Sequence, residues 1–520
     1  MQSHLQSAVS DRSPAHHVLA QPAVADLKRK SVVGGVAAVS AHGAGFVVQT
    51  ATTMVLARLL SPEDFGLQGM VVVVTGFLAL FRDAGLSMAT IQRLEVTHEQ
   101  TSTLFWINVA IGAILAALCV TSAPLIAAFY HEPRLYWIAV VSGANFLVNG
   151  LGAQHGALLA RAMRFVTTAK IGVLSLIAGS AVGIVMALLG CRYWSLVAMA
   201  LVISIVSTAA VWLAVPWRPG PPRRRSGIRS MLHFGGLATC NSVVVFLAWN
   251  AEKLLLGRFW GANALGVYGR AFQLVTLPVQ QLNVALGGVA FPALSRIQHD
   301  AKRLARSFLR GYSMVVSLTV PVAISCTLFS EEIVRIVLGA KWMEVAPIVR
   351  LLAPVALVFA VANPLSWLVL STGRVRRALA MSSAMTPLVI LGVVLGLGHG
   401  PKGVALAYSL AMSLLIIPIA AWSKLGTEVT WADLWEATKP PFLSGLFAAA
   451  AGLLVKLMLC SRLSPMLCLM AGVGLLLGVY AWVLLIVMRQ KHVYMDVLFQ
   501  LLPRLKATQE RAVEPAARPL

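Results

Sequence analysis

Charge is what this 520-residue chain has least of. Asp, Glu, Lys and Arg make up 12% of it and apolar residues 58%, whereas a soluble domain is about a quarter charged and under half apolar. A soluble enzyme, or a string of soluble domains, is excluded. Acids are scarcer than bases, 19 against 42, for a net charge of +23. That excess does not point to nucleic acid, because no aromatic-interleaved basic patch on a soluble module carries it. The six cysteines (Cys119, Cys191, Cys240, Cys326, Cys460, Cys468) show no CxxC spacing and fall mostly in apolar runs. They read as small apolar residues, not as a metal site or disulfide frame. No Gly-rich loop leads into Lys and Ser or Thr, so no ATP site is visible. No HExxH occurs and no histidine pair has ligand spacing, so no metal is expected. No loop on the outer side exceeds about 15 residues, which leaves no room to house a reaction, so the chain is not expected to be an enzyme.

What is present is a succession of long apolar runs, with a mean hydropathy of +0.81. The roughly 460 residues between the polar ends hold about 14 spans of about 20 residues plus loops, the length a bilayer needs. The expected fold class is an all-α polytopic membrane protein with about 14 transmembrane helices. Residues 1–32 read as a cytoplasmic disordered tail, 33–216 as an N-lobe of six spans and 217–230 as a basic cytoplasmic linker. Residues 231–424 read as a C-lobe of six spans, 425–440 as an interfacial segment, 441–488 as spans 13 and 14, and 489–520 as a cytoplasmic tail. Residues 1–30 are polar and end in Lys28-Arg29-Lys30, so a cleavable signal peptide is not expected. With the N-terminus inside, cytoplasmic segments carry about 29 of the 42 Lys and Arg residues and outer loops about 8, which the positive-inside rule requires.

The sequence repeats itself. Arg58-Leu-Leu-Ser-Pro-Glu-Asp-Phe-Gly66 aligns with Arg258-Phe-Trp-Gly-Ala-Asn-Ala-Leu-Gly266, and Arg161-Ala-Met-Arg164 with Arg374-Val-Arg376-Arg377. Six helices separate the copies, so the repeat is parallel, relating two six-helix lobes, with two C-terminal helices left over. Ser61-Pro62-Glu63-Asp64 reads as a helix start: a capping Ser, Pro at the first position, acids in the first turn. Thr430 with Asp433 reads as the cap of a short interfacial helix, with Trp431 and Trp435 as its anchor.

Ionisable residues deep in spans are functional candidates by default. They are Arg82 and Asp83 in span two, Glu252 and Lys253 in span seven, Arg270 in span eight and Arg350 in span ten. Neighbours on a helix point about 100° apart, so neither adjacent pair is expected to form a compact ion pair with itself. Snorkelling to the interface is the competing reading for Glu252, Lys253, Arg270 and Arg350, and less so for Arg82 and Asp83, which lie farther from either helix end. His42, Gln49 and Thr53, with Thr50, form a polar stripe that could line the same cavity; helix packing explains it as well.

Three stretches resemble the Wzx-type polysaccharide transporters, the O-antigen, colanic-acid and teichuronic-acid exporter family. They are Ala57 to Gly66 followed by Phe81-Arg82-Asp83-Ala84-Gly85-Leu86, Glu252 to Phe259 followed by Leu265 to Ala271, and Phe291-Pro292-Ala293-Leu294-Ser295-Arg296. That family belongs to the multidrug/oligosaccharidyl-lipid/polysaccharide flippase superfamily. Glu252 stands where the family more often has Asp. The resemblance implies a flippase in the bacterial inner membrane, both termini cytoplasmic. It would move an undecaprenyl-pyrophosphate-linked oligosaccharide for lipopolysaccharide, capsule or exopolysaccharide by alternating access of two lobes. It implies a cationic cavity in which Arg82, Arg270, Arg350 and Lys253 meet the substrate, while Asp83 and Glu252 balance charge or bind a coupling ion, H⁺ or Na⁺. No other cofactor is implied. Membrane lipids, a polysaccharide polymerase and export machinery are the implied partners, and nucleic acid is not. The two extra helices are expected to offer a groove for the prenyl tail. A lipid II flippase or multidrug exporter of the same superfamily, and more remotely a membrane polysaccharide polymerase, are the alternatives.

Overall fold

The computed structural model describes residues 24–82, 90, 96–222, 229–460, 462–491 and 494. Among the described residues the chain is all-helical, with no strand. Residues 1–23 of the first tail, Asp83, 223–228 of the basic linker and nearly all of the last tail lie outside the described residues, while 24–32, expected in the disordered tail, belong to a helix. In the first part of the chain α1 spans Val24–Leu59, α2 Pro62–Ala79, α3 His98–Tyr130, α4 Leu135–Arg161, α5 Phe165–Leu188 and α6 Trp194–Ala214. There follow α7 at Arg229–Arg296, α8 at Ala301–Leu328, the short α9 at Ser330–Val337 and α10 at Val345–Ser371. The chain ends with α11 at Val375–Gly396, α12 at Gly400–Lys424, α13 at Trp431–Met458 and α14 at Pro465–Trp482.

Ten described stretches are long and apolar enough to cross a membrane, and two of them, of 48 and 49 residues, are long enough to cross twice. With α1 and α2 this accounts for the polytopic fold expected. The stretch labelled α7 is two helices meeting at Gly261, where the backbone leaves the helical region (φ 78°), so the break falls between the spans expected at 231–257 and 265–291. The segment expected to form its own interfacial helix, by contrast, is the first turns of α13. Thr430 does cap it, accepting from the Asp433 amide at 3.1 Å while its own amide donates to Asp433 Oδ2 at 2.8 Å.

Helix starts and stops are written locally. At α2 the Asp64 amide donates to Ser61 Oγ and the Ser61 amide to Asp64 Oδ2, a reciprocal capping box with Pro62 as first residue. The second repeat match also has a structural counterpart, three residues out of the register expected. Met163 and Gly373 each adopt positive φ, 52° and 72°. Arg164 then donates to Ala214 O at the end of α6 (3.0 Å), and Arg374 to Gly426 O beyond α12 (2.7 Å). In both copies an arginine satisfies carbonyls that the end of a helix leaves open. The match is therefore Arg164 with Arg374, not Arg161 with Arg374.

Close packing divides the chain into two units. The first holds the chain up to Arg270 together with Val337–Val345 and Ser382–Tyr408. The second holds Ala271–Ile336, Ala346–Met381 and the chain from Ser409. In the second, α13 and α14 pack as a pair on α8, and the Phe329 ring lies where a Cβ on Gly472 would be, 2.3 Å away. A disulfide joins Cys460 and Cys468, correcting the expectation that no cysteines pair. Spacing hid it. The α13–α14 turn brings the two Cα atoms to 5.0 Å, within bridging range. Glu332 lies beside the pair, but the bridged sulfurs are not free to bind a metal.

In the first unit the two copies of the leading motif lock together. A Cβ on Gly66 would sit 1.7 Å from Ala262 O, and one on Gly266 would sit 1.8 Å from Pro62 O. Position 66 faces 262 and position 266 faces 62, the reciprocal contact of a pseudo-two-fold axis. Backbone meets backbone there, so no side chain can yield. We expect Gly66→Ala and Gly266→Ala each to separate α2 from α7 and to lower the melting temperature of the purified protein. The cost exceeds the roughly 1–3 kcal/mol of ordinary overpacking. An unchanged melting temperature would show that the crossing is slack.

Candidate functional site

The end of α1 is held by residues far along the chain. Trp342 Nε1 donates to Ala57 O at 2.7 Å and Lys341 Nζ to Arg58 O at 2.9 Å, occupying carbonyls left open at the helix terminus. The equivalent Arg258, on α7, reaches His131 Nδ1 at 2.7 Å. Around the start of α2 lies an ion cluster. Arg134 bonds Glu63 at 2.6 Å and Glu132 at 2.8 Å, while Arg192 lies 3.8 Å from Glu63 and 3.6 Å from Asp64. Glu63 and Asp64 therefore do more than start a helix. Sequence reading missed this, because Arg134 and Arg192 sit in separate loops with no spacing signal linking them to the acids.

Beside this end of the unit a cation is buried against aromatics. The Arg270 guanidinium lies over the Phe65 ring, 4.3 Å from its centroid, and Phe65 meets Trp342 edge-on at 5.5 Å. Arg270 Nε is buried with no hydrogen-bond partner among the described residues. Deeper in α7 the Glu252 side chain is 0% exposed and neither oxygen has a hydrogen-bond partner among the described residues. Its contact is ionic. Lys253 Nζ lies 3.8 Å away and also donates to Asn250 Oδ1 at 3.1 Å. This corrects the expectation that the adjacent pair could not meet: the four-carbon lysine stem folds back across the angle between the two Cβ directions. The buried rings of Tyr268 and Tyr408 stand within electrostatic reach of the same carboxyl.

The structure thus gathers Glu252 and Lys253 in one place, with Arg270 two positions past Tyr268 in the same unit. Arg82 is exposed in the turn that ends α2. His42 is exposed on α1, and Gln49 and Thr53 are half-buried along it. Arg350, in the second unit, pairs with Glu331 at 3.1 Å and with Ser330 Oγ at 3.3 Å, its side chain 46% exposed. That is the geometry of a long cation reaching out from a helix end.

Comparison with known proteins places these features in a family. The profile of a family described as polysaccharide biosynthesis protein matches residues 55–347. The lipopolysaccharide biosynthesis protein WzxC of Escherichia coli is 28% identical over 396 residues, covering 74% of this chain and 79% of that one. The teichuronic acid biosynthesis protein TuaB of Bacillus subtilis is 29% identical over 332 residues, 63% of this chain and 68% of its own. Among solved structures, the lipid II flippase MurJ in an inward closed conformation superposes with a TM-score of 0.70 over 88% of this chain and 99% of its own, at 14% identity. An inward-facing multidrug resistance transporter of the MATE family superposes at 0.58, covering 76% of this chain and 100% of its own, also at 14% identity.

The ion cluster carries a pH signature. The Arg134 hydrogen bond holds the Glu132 carboxyl below its ordinary value, and Glu132 and Glu63 together raise Arg134. A lowered folded value means the stabilisation is present above the unfolded carboxylate range and is lost as pH falls through the folded value. We expect Glu132→Gln to cost about 0.5–1 kcal/mol at pH 7, a surface-pair magnitude, and to flatten the fall in melting temperature on acidification below the carboxylate range. Equal acid sensitivity of wild type and variant would remove Glu132 from the cluster's energetics.

Proposed function

The chain belongs to the polysaccharide biosynthesis protein family and is a polytopic membrane transporter, and on that premise we propose that it flips a lipid-linked oligosaccharide across the bacterial inner membrane. In this reading the cargo is an undecaprenyl-pyrophosphate-linked repeat unit destined for a surface polysaccharide. It moves from the cytoplasmic to the periplasmic leaflet by alternating access, with both chain termini cytoplasmic. Inner-membrane placement is supported by the span content and by a relative named as an inner membrane export protein. The disulfide after α13 supports the orientation, since such bonds persist on the oxidising side of the membrane.

Arg270 is the observation that carries the anionic cargo. A guanidinium held over an aromatic face, with a buried nitrogen lacking a partner, is poised for a phosphate oxygen. Arg82, Lys253 and Arg350 complete the proposed set of cations met by pyrophosphate or sugar. Glu252 is proposed to take up the coupling ion, H⁺ or Na⁺, because a buried carboxyl with one ionic contact among the described residues gains from binding either one. Asp83 would balance Arg82. No chemical step is assigned to the protein; a polymerase and export machinery would act on the cargo after it is flipped.

The outer cluster gives the cycle its gate in this reading. The Gly66–Gly266 crossing and the cations around Glu63 close the periplasmic end of the first unit, and release of cargo outward requires them to part.

Two measurements test this. In a deletion strain, surface polysaccharide is expected to be lost and its lipid-linked precursor to accumulate on the cytoplasmic leaflet; accumulation on the periplasmic leaflet would place the block after flipping. Arg270→Ala at normal membrane levels is expected to cut export about tenfold or more, the loss of one charge-assisted hydrogen bond to phosphate. Normal export by both Arg82→Ala and Arg270→Ala would end the cationic-pathway idea.

A further inference from the structure

The outer half of α2 is committed to the crossing, but its other end faces open apolar space. Leu78 on α2 and Phe81 in the turn after it, with Ile111, Ile114, Leu115 and Leu118 on α3, line a groove of about 410 Å³ with no charged residue among them. Phe81, Ile114 and Leu118 are exposed, Ile114 to 59%. The next residue after Phe81 is the exposed Arg82.

Depth decides what such a groove can hold. The Glu63–Arg134 bond sets the start of α2 level with the end of α3. Sixteen residue steps separate Pro62 from Leu78 on α2 and Tyr130 from Ile114 on α3, about 24 Å along each helix. The groove therefore lies in the leaflet farther from the ion cluster. Ala79, where α2 ends, is seventeen steps from Pro62, about 26 Å, and Arg82 lies in the turn just beyond it, close to one hydrocarbon thickness from the start of α2. In the orientation proposed above, that is the cytoplasmic interface. An apolar channel within the inner leaflet thus ends at a cation at headgroup level.

Resting on the flippase reading, we propose that this α2–α3 groove is the loading site for the cargo's anchor: the prenyl chain lies along Leu78 to Leu118 while Arg82 meets the pyrophosphate. A phosphate monoanion or dianion recruits Arg82, and the apolar lining takes a hydrocarbon chain without desolvating any polar group. Both halves of the ligand are matched at one place and one depth. This seats the tail on α2 and α3 rather than on α13 and α14, which pack on α8 in the second unit.

The test is site-specific photocrosslinking of the full-length purified protein in nanodiscs of phosphatidylethanolamine and phosphatidylglycerol, with trace radiolabelled undecaprenyl pyrophosphate as the probe. A benzophenone amino acid replaces Ile114, or Leu118 in a second variant in case the first folds poorly. The control position is Leu174 on α5, equally lipid-facing at 56% exposure and also in the inner leaflet in the proposed orientation. Labelling at the groove is expected to exceed that at Leu174 and to fall about tenfold with Arg82→Ala, the equivalent of one phosphate hydrogen bond. It is expected to resist excess phosphatidylglycerol and to yield to excess unlabelled undecaprenyl pyrophosphate. Equal labelling at both positions, displacement by phosphatidylglycerol, or indifference to Arg82→Ala would overturn the loading site. If the groove fails while the protein still binds undecaprenyl pyrophosphate saturably, the flippase reading survives without it. No saturable binding at all would sink both.

Discussion

Two glycines, 200 positions apart, set the closest approach in the first unit. At Gly66 and Gly266 the backbones of α2 and α7 touch with no room for a single added carbon. In a membrane there is little hydrophobic gain from bringing helices together, so small residues that admit close van der Waals contact are what hold them. The contact is reciprocal, each copy of one motif seated on the other. It positions Phe65 next to Gly66, and hence the ring over which Arg270 lies. It also sets the start of α2 where Arg134 and Arg192 can reach its acids.

The polar residues follow the same economy. Water is scarce along these helices, so open helix ends take partners from wherever the fold supplies them. Trp342 and Lys341 occupy the last carbonyls of α1, Arg164 a carbonyl of α6, and Arg374 those beyond α12. Against that background the groups lacking such partners stand out. Glu252 has both oxygens without a hydrogen bond and Arg270 its Nε. A buried polar atom left open is costly. A transporter can tolerate that cost where a ligand or ion completes the site during the cycle.

Charge placement separates two kinds of work. Arg134 and Arg192 face acids at one end of the first unit, where ion pairs come apart at modest expense. Arg270 faces an aromatic ring instead, and the exposed Arg82 directly follows Phe81, which lines an apolar groove. A cation packed on a ring rather than on a carboxylate remains available to an anionic cargo. Arg350, already paired with Glu331 and largely open, has the least in its surroundings to suggest such a role.

Fold class and family were legible in the sequence, because both rest on local and one-dimensional signals. Apolar run length reports membrane crossing directly. The caps at Ser61 and Thr430 involve residues three apart, so their chemistry is legible in place. The repeat too was readable, as a match of motif to motif. Everything that joins distant positions waited on the packed helices. No spacing rule links Glu63 to Arg134, Arg270 to Phe65, or Lys341 to Arg58, since those contacts depend on which helices lie side by side. The Cys460–Cys468 bridge needed the turn between two helices to bring its partners within reach. The Glu252–Lys253 pair needed a buried setting in which folding back is better than standing alone. Even the two motif glycines gave no hint in sequence of their purpose. A glycine's meaning here is the backbone that occupies the space its missing side chain leaves, and only the packed structure shows what that backbone is.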